Sequence, residues 1–179
     1  MQTFKSLSRH FGIGGLVLIL AVILAPGMVA KEKGQKTAVQ LYKDEEGYRI
    51  LSAMLDDAVK DWQLESADIY QFTVGVSSLK VCSGIPSEFQ AATADLLKKS
   101  ERRTRFTAKF SLRYPYKLYP DQAATFFGIT EVGFDPSRTL AVAAVSRGCG
   151  SMCSGGNTYL FRKVESSWKI VGKVCETLS

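Results

Sequence analysis

TLAVAAVSRGCGSMCSGGNTYLFRKVESSWKIVGKV, residues 139–174, is the stretch that decides the fold. Residues 139–146 are apolar on both faces of an extended chain. A strand wetted on one side alternates apolar and polar residues, whereas a strand covered on both sides reads as a near-continuous apolar run. The segment therefore predicts a central, covered strand. A glycine-cysteine loop follows, then the strand TYLFRKV (158–164), the turn ESS (165–167) and the strand WKIVGKV (168–174). Short strands separated by turn residues predict an antiparallel meander.

Upstream of this block, ITEVGF (129–134) predicts a strand and DPSR (135–138) a turn. YPDQAATFFG (119–128) predicts a short helix opened by Pro120 and closed by Gly128. RFTAKFSLR (105–113) alternates, with Phe106, Ala108, Phe110 and Leu112 on one side and Arg105, Lys109 and Arg113 on the other, and predicts a half-buried strand. Within SGIPSEFQAATADLLKKS (83–100), Ser87 and Gln90 have the spacing of a capping box, and Phe89, Ala92, Thr93 and Leu96 form one helical face. ADIYQFTVGV (67–76) alternates as a strand, with Tyr70, Phe72, Val74 and Val76 on one side. Leu51, Met54, Leu55, Ala58, Val59 and Trp62 fall at helical spacing and predict an amphipathic helix over 44–63. The order predicts an α+β domain, with N-terminal helices packed on one face of an antiparallel sheet that ends in a C-terminal β-meander.

The first thirty residues read as an export signal. Lys5 and Arg9 precede an uncharged stretch from Phe11 to Ala30, with an unbroken apolar run from Leu16 to Ala25, and Pro26 and Gly27 break it. This is the layout of a secretory signal peptide (1–30) with cleavage after Ala30, an uncleaved anchor being the alternative. Residues 31–43 follow as a flexible lead-in and 44–179 as a single domain. His10 is the only histidine and leaves with the signal, and 21 basic residues then face 17 acidic ones, a net charge of +4. The expected location is the periplasm or the cell exterior.

The stretch 129–174 resembles the C-terminal half of a broad group of small exported bacterial proteins of unassigned function. In that group a V-G-F-like step leads through a turn into an Ala-Val-rich strand, a C-G-x-x-C-type loop and a W-K-[IV]-V strand. YPYKLYPDQAATFF (114–127) is similar to the segment preceding this block in the same group, and YRILSAML (48–55) with ADIYQFTV (67–74) to its N-terminal helix and strand. The loop here reads C-G-S-M-C-S-G-G, with Ser154 where the group often carries glycine. The resemblance implies a shared exported α+β fold, not a reaction.

Cys82, Cys149, Cys153 and Cys175 make an even count, which in an exported chain reads as two disulfides. Three connectivities are open. The favoured reading pairs Cys149 with Cys153 as a clip on the hairpin tip and Cys82 with Cys175 as the global staple, the latter worth about 4 kcal/mol in the chain-entropy picture. A redox pair would want two intervening residues and a helix N-terminus at the nucleophile, and the context is instead strand, loop, strand. Zinc held by four thiolates usually draws on two close pairs, and only one is present.

Without a histidine in the mature chain, Ser-His-Asp and Cys-His devices are excluded, as are histidine metal sites. No phosphate-cradling G-x-x-x-x-G-K-[ST] and no G-x-S-x-G is present. No catalytic residue, metal or cofactor is expected. Two placed carboxylates are the remaining route to hydrolysis. KDEEG (43–47), LDD (55–57), Glu131 and Asp135 qualify by residue type, and a solvated helix face is the simpler account of the first two.

From Lys98 to Lys117 there are eight lysines or arginines and a single acid, Glu101, with Tyr114, Tyr116 and Tyr119 close behind. On a strand, Arg105, Lys109 and Arg113 would form a basic row about 13 Å apart. Such a row beside aromatics suits an anionic polymer, although basic residues also guard edge strands against pairing. The expected function is a non-enzymatic binding or structural module of the cell envelope. Its partner would be an anionic envelope polymer or another envelope protein, not nucleic acid. The rivals are a small carboxylate-dependent hydrolase and a thiol-redox protein.

Overall fold

The computed structural model describes residues 39–75, 84–121, 125–149 and 154–178. Along the chain these form β1 (Gln40–Leu41), α1 (Glu45–Asp61), β2 (Ala67–Tyr70), α2 (Gln90–Lys99), β3 (Thr104–Arg105), β4 (Tyr116–Tyr119), β5 (Thr125–Ile129), β6 (Gly133–Phe134), β7 (Leu140–Cys149), β8 (Ser154–Val164) and β9 (Ser167–Leu178). The signal-like segment lies outside the described residues, as do Cys82 and Cys153, and Cys149 and Cys175 are placed only as backbone in β7 and β9.

The main sheet has seven strands in the order β4-β2-β5-β7-β8-β9, with β6 also beside β7. β7, β8 and β9 form the antiparallel meander. The sheet as a whole is mixed, not antiparallel, because β2 pairs in parallel with both β4 and β5. The helix expected over 119–128 meets strands at both ends, with Tyr119 closing β4 and residues 125–128 lying in β5, while residues 122–124 lie outside the described residues. The window is too short for a stable helix, and Phe126, Phe127 and Ile129 favour a pleated, half-buried surface.

The two helices lie on opposite faces of the meander, which corrects the one-face expectation. Ala141, Ala143 and Val145 of β7, with Tyr159 and Phe161 of β8, share one buried cluster with Ile50, Leu51, Met54, Leu55 and Ala58 of α1. The intervening Val142 and Leu160 share a second cluster with Phe89, Ala92 and Leu96 at and within α2. Period-two alternation sends neighbouring residues to opposite faces, so the run that is apolar on both sides finds a helix on each.

Helix α1 starts where Asp44 accepts a hydrogen bond from the Gly47 amide at 3.0 Å, and Glu45 and Glu46 in its first turn suit the dipole. Ser87 does not cap α2. It sits inside a single 3-10 turn, Ser87–Phe89, that follows Pro86 and leads into the helix.

Residues 105–113 are not a strand beyond Arg105. The alternation holds for burial of Phe106 and Phe110, but Ala108 is exposed. The segment is a strap laid along α1, and its backbone is satisfied by the helix's side chains. The Thr107 amide donates to Tyr48 Oη at 2.9 Å, the Ser111 amide to Ser52 Oγ at 3.0 Å and the Arg113 amide to Asp56 Oδ1 at 2.8 Å. Tyr48, Ser52 and Asp56 are four residues apart, so they share one helix face. Tyr42, Tyr48, Phe106 and Phe110 interlock between the strap and α1, edge-on except for the tilted Phe106–Phe110 pair, with centroids 5.0 to 6.3 Å apart. Ordered pairing thus reaches back to Gln40, ahead of the boundary drawn at residue 44.

The expected strand 129–134 is interrupted. Ile129 pairs with Val145, whereas Gly133 pairs with Val142, so residues 129–133 carry one more residue than the strand opposite. This is a β-bulge. Thr130 holds the ladder through it: its amide donates to the Ala144 carbonyl at 3.0 Å, and its Oγ1 accepts from the Ala144 amide at 2.9 Å.

Candidate functional site

The bulge delivers Glu131 to a cleft of ≈190 Å³. The walls come from four places in the chain. β1 and the residues leading into α1 contribute Tyr42 and Asp44, the end of α2 contributes Lys99, β3 and the link into it contribute Thr104 and Arg102, and the bulge contributes Glu131. The Glu131 side chain is 7% exposed. It accepts a short hydrogen bond from Thr104 Oγ1, and its Oε1 lies 3.9 Å from Arg102 Nε, too far for a hydrogen bond.

Lys99 closes the α2 side. Its ammonium donates to the Val132 carbonyl at 2.9 Å, pairs with Asp95 at 2.7 Å and stands over the Phe134 ring. Asp44 is occupied by the Gly47 amide and by Arg138 Nη2 at 3.1 Å. The Tyr42 hydroxyl is buried without a hydrogen-bond partner. Burial pushes its pKa up, and the neighbouring Asp44 and Glu131 carboxylates push it further, so it stays a neutral phenol.

The other acids proposed for carboxylate chemistry fasten α1 and the β6–β7 turn to the rest of the molecule. Glu45 pairs with Lys109, and Lys173 bridges Asp57 and Asp61. Glu46 accepts from Lys163 Nζ at 2.6 Å, Trp168 Nε1 at 3.1 Å and Arg138 Nε at 2.9 Å. Burial pushes the Glu46 carboxyl up, but these three donors outweigh it and hold its pKa at about 2. Asp135 closes its own turn by accepting from Ser137, Thr139 and Leu140. Burial works against ionisation there as well, and those hydrogen bonds overcome it and lower the pKa.

Arg105, Lys109 and Arg113 are all exposed, but they do not share one strand, because β3 ends at Arg105. Lys109 is held by Glu45, and Arg113, on the strap, has its guanidinium 3.9 Å from Asp56. Arg105 is exposed beside Gln71, and exchanging the oxygen and nitrogen of the Gln71 amide, the assignment its surroundings favour, lets that oxygen accept from Arg105 Nη2 and Nε, each at 3.1 Å. Arg105 also bridges to Phe72. The guanidinium of Arg103 stacks 4.0 Å from the Phe72 ring centroid and donates to Tyr70 Oη. Arg102, Arg103 and Arg105 therefore stand together on one short segment, and the aromatics beside two of them are Tyr70 and Phe72. The basic run pointed to this segment in the sequence. Nothing local marked Tyr42 or Thr104, which reach the cleft only through the β1–β3 pairing.

No protein-family model, curated protein or solved structure matches the chain.

Proposed function

We propose that the protein is an exported, non-enzymatic binding module that grips an anionic polymer of the cell envelope through Arg102, Arg103 and Arg105. The observation that carries the reading is the company these three cations keep. Arg103 is held by aromatic rings and a phenol, Arg105 by an amide, and Arg102, 51% exposed, comes no nearer than 3.9 Å to a carboxylate. Guanidinium groups positioned by neutral partners keep their charge for a ligand, and aromatic stacking pre-orders them. Lys109 is paired with Glu45 and is assigned to stability, and Arg113, 3.9 Å from Asp56, is as open as Arg102 but lies eight residues beyond Arg105 along the strap. The export-signal layout and the resemblance to small exported bacterial proteins support an address outside the cytoplasm.

The test is salt-dependent binding of dextran sulfate, with neutral dextran as control. Arg103→Glu with Arg105→Glu should abolish binding, while Lys109→Glu with Arg113→Glu should leave most of it. Equal loss in the two double variants would refute the assignment. The reading of the protein as a carboxylate hydrolase keeps one observation in its favour, because Asp44 and Glu131 line the same cleft. Asp44, however, is already spent on the α1 cap and on Arg138. Release of reducing ends from an acidic polysaccharide, lost in Glu131→Gln, would put hydrolysis first.

A further inference from the structure

We infer that the cleft between Arg102 and Glu131 seats one hydroxyl-bearing ring of an acidic polysaccharide, so that the arginine segment reads the charge of a glycan while the cleft reads its sugar. This rests on the proposed anion-gripping role of Arg102, Arg103 and Arg105 and names the class of polymer they meet.

The argument starts from an unfinished pair. Among the described residues the Glu131 carboxylate accepts one hydrogen bond, from Thr104, and its nearest cation stands off at 3.9 Å. An ionised carboxyl offers about four acceptor positions, so Glu131 can take further donors from the cleft. A ligand entering between the two must give a proton toward Glu131 and take one from Arg102. Sulfate and phosphate only accept, so they would satisfy Arg102 and be repelled by Glu131. An ammonium group would do the reverse. Neighbouring hydroxyls on a ring do both, because each is donor and acceptor.

Size agrees with this. At ≈190 Å³ the cleft falls below the roughly 300–1,000 Å³ of sites for drug-sized molecules, which leaves room for a single ring. Arg102 belongs both to the cleft wall and to the exposed arginine segment, so a chain with one residue seated in the cleft can continue across Arg103 and Arg105. A polymer that carries both the anions and the ring hydroxyls is an acidic polysaccharide.

The experiment compares three polyanions of matched charge on the full chain by titration calorimetry: an oligogalacturonate, polyglutamate and polyphosphate. The oligogalacturonate should bind at least tenfold tighter than the other two. Leu41→Trp supplies a plug, since Leu41 lines the cleft, is 47% exposed and leaves the Thr104–Glu131 hydrogen bond untouched. It should erase the preference without changing polyphosphate binding, and Glu131→Gln should act in the same direction with its melting temperature followed in parallel. Equal affinity for all three, with both variants silent, would overturn the sugar-reading cleft and leave the arginine segment standing. Absence of binding to any of the three would overturn the arginine segment itself. Preference for polyglutamate would assign the cleft to a peptide and also overturn this inference.

Discussion

Glu46 should make a measurable, pH-dependent contribution to stability. Its carboxylate joins the first turn of α1 to Arg138 after β6, to Lys163 near the end of β8 and to Trp168 at the start of β9. A fall in pKa from 4.5 to about 2 corresponds at most to about 3.4 kcal/mol, at 1.36 kcal/mol per pH unit. The side chain is 22% exposed, and solvent screening reduces this to about 1–2 kcal/mol. The folded-state pKa lies below the unfolded value, so the contribution is fully present above about pH 5 and is lost as pH falls toward 2. Glu46→Gln removes the charge and keeps the shape. Urea denaturation of both proteins between pH 7 and pH 3 should give a difference of about 1–2 kcal/mol at neutral pH that shrinks to less than half at pH 3. A difference that stays constant over this range would mean that the charge does not contribute and that the pKa reasoning is wrong.

Gly133→Ala should be poorly tolerated. A Cβ there would stand 2.2 Å from the Ala92 carbonyl oxygen and 2.5 Å from the Leu96 amide nitrogen, and helix backbone cannot move aside as a side chain can. We expect a loss of about 2–3 kcal/mol in thermal or urea unfolding, and a neutral result would mean that α2 is not seated on β6. Tyr42→Phe should stabilise by about 1 kcal/mol, because it removes a buried hydroxyl that lacks a partner, and a loss of stability would reveal a hydrogen bond to that oxygen.

The sequence made the meander and α1 readable because burial there follows simple periods of two and 3.6. It also contained the answer to helix placement. A strand apolar on both faces needs cover on both, and the one-face expectation overlooked what residues 139–146 had already implied. Elsewhere periodicity recorded burial without recording hydrogen bonding. Phe106 and Phe110 alternate as strand residues do, yet their backbone neighbours bond to Tyr48, Ser52 and Asp56, more than fifty residues earlier in the chain. β4 and β5 escaped notice because their pairing with β2 is parallel and non-local, and no local turn announces it. The cleft was legible only in fragments. Glu131 stood out as an acid among apolar residues and Arg102 as part of the basic run, but their meeting depends on one extra residue in the 129–133 segment.

That extra residue also acts as a parity switch. Before it, the odd-numbered Phe127 and Ile129 face α1, and after it the even-numbered Phe134 does, leaving Gly133 to α2. Deleting any one residue from 130–132 would restore an uninterrupted ladder and still leave Gly133 opposite Val142 and Phe134 opposite Ala141, so the core would keep both faces and only the bulge that carries Glu131 would be lost. The core on either side therefore does not need the extra residue, and what depends on it is the cleft wall at position 131. In this protein the cleft is an addition to a sheet that could close without it.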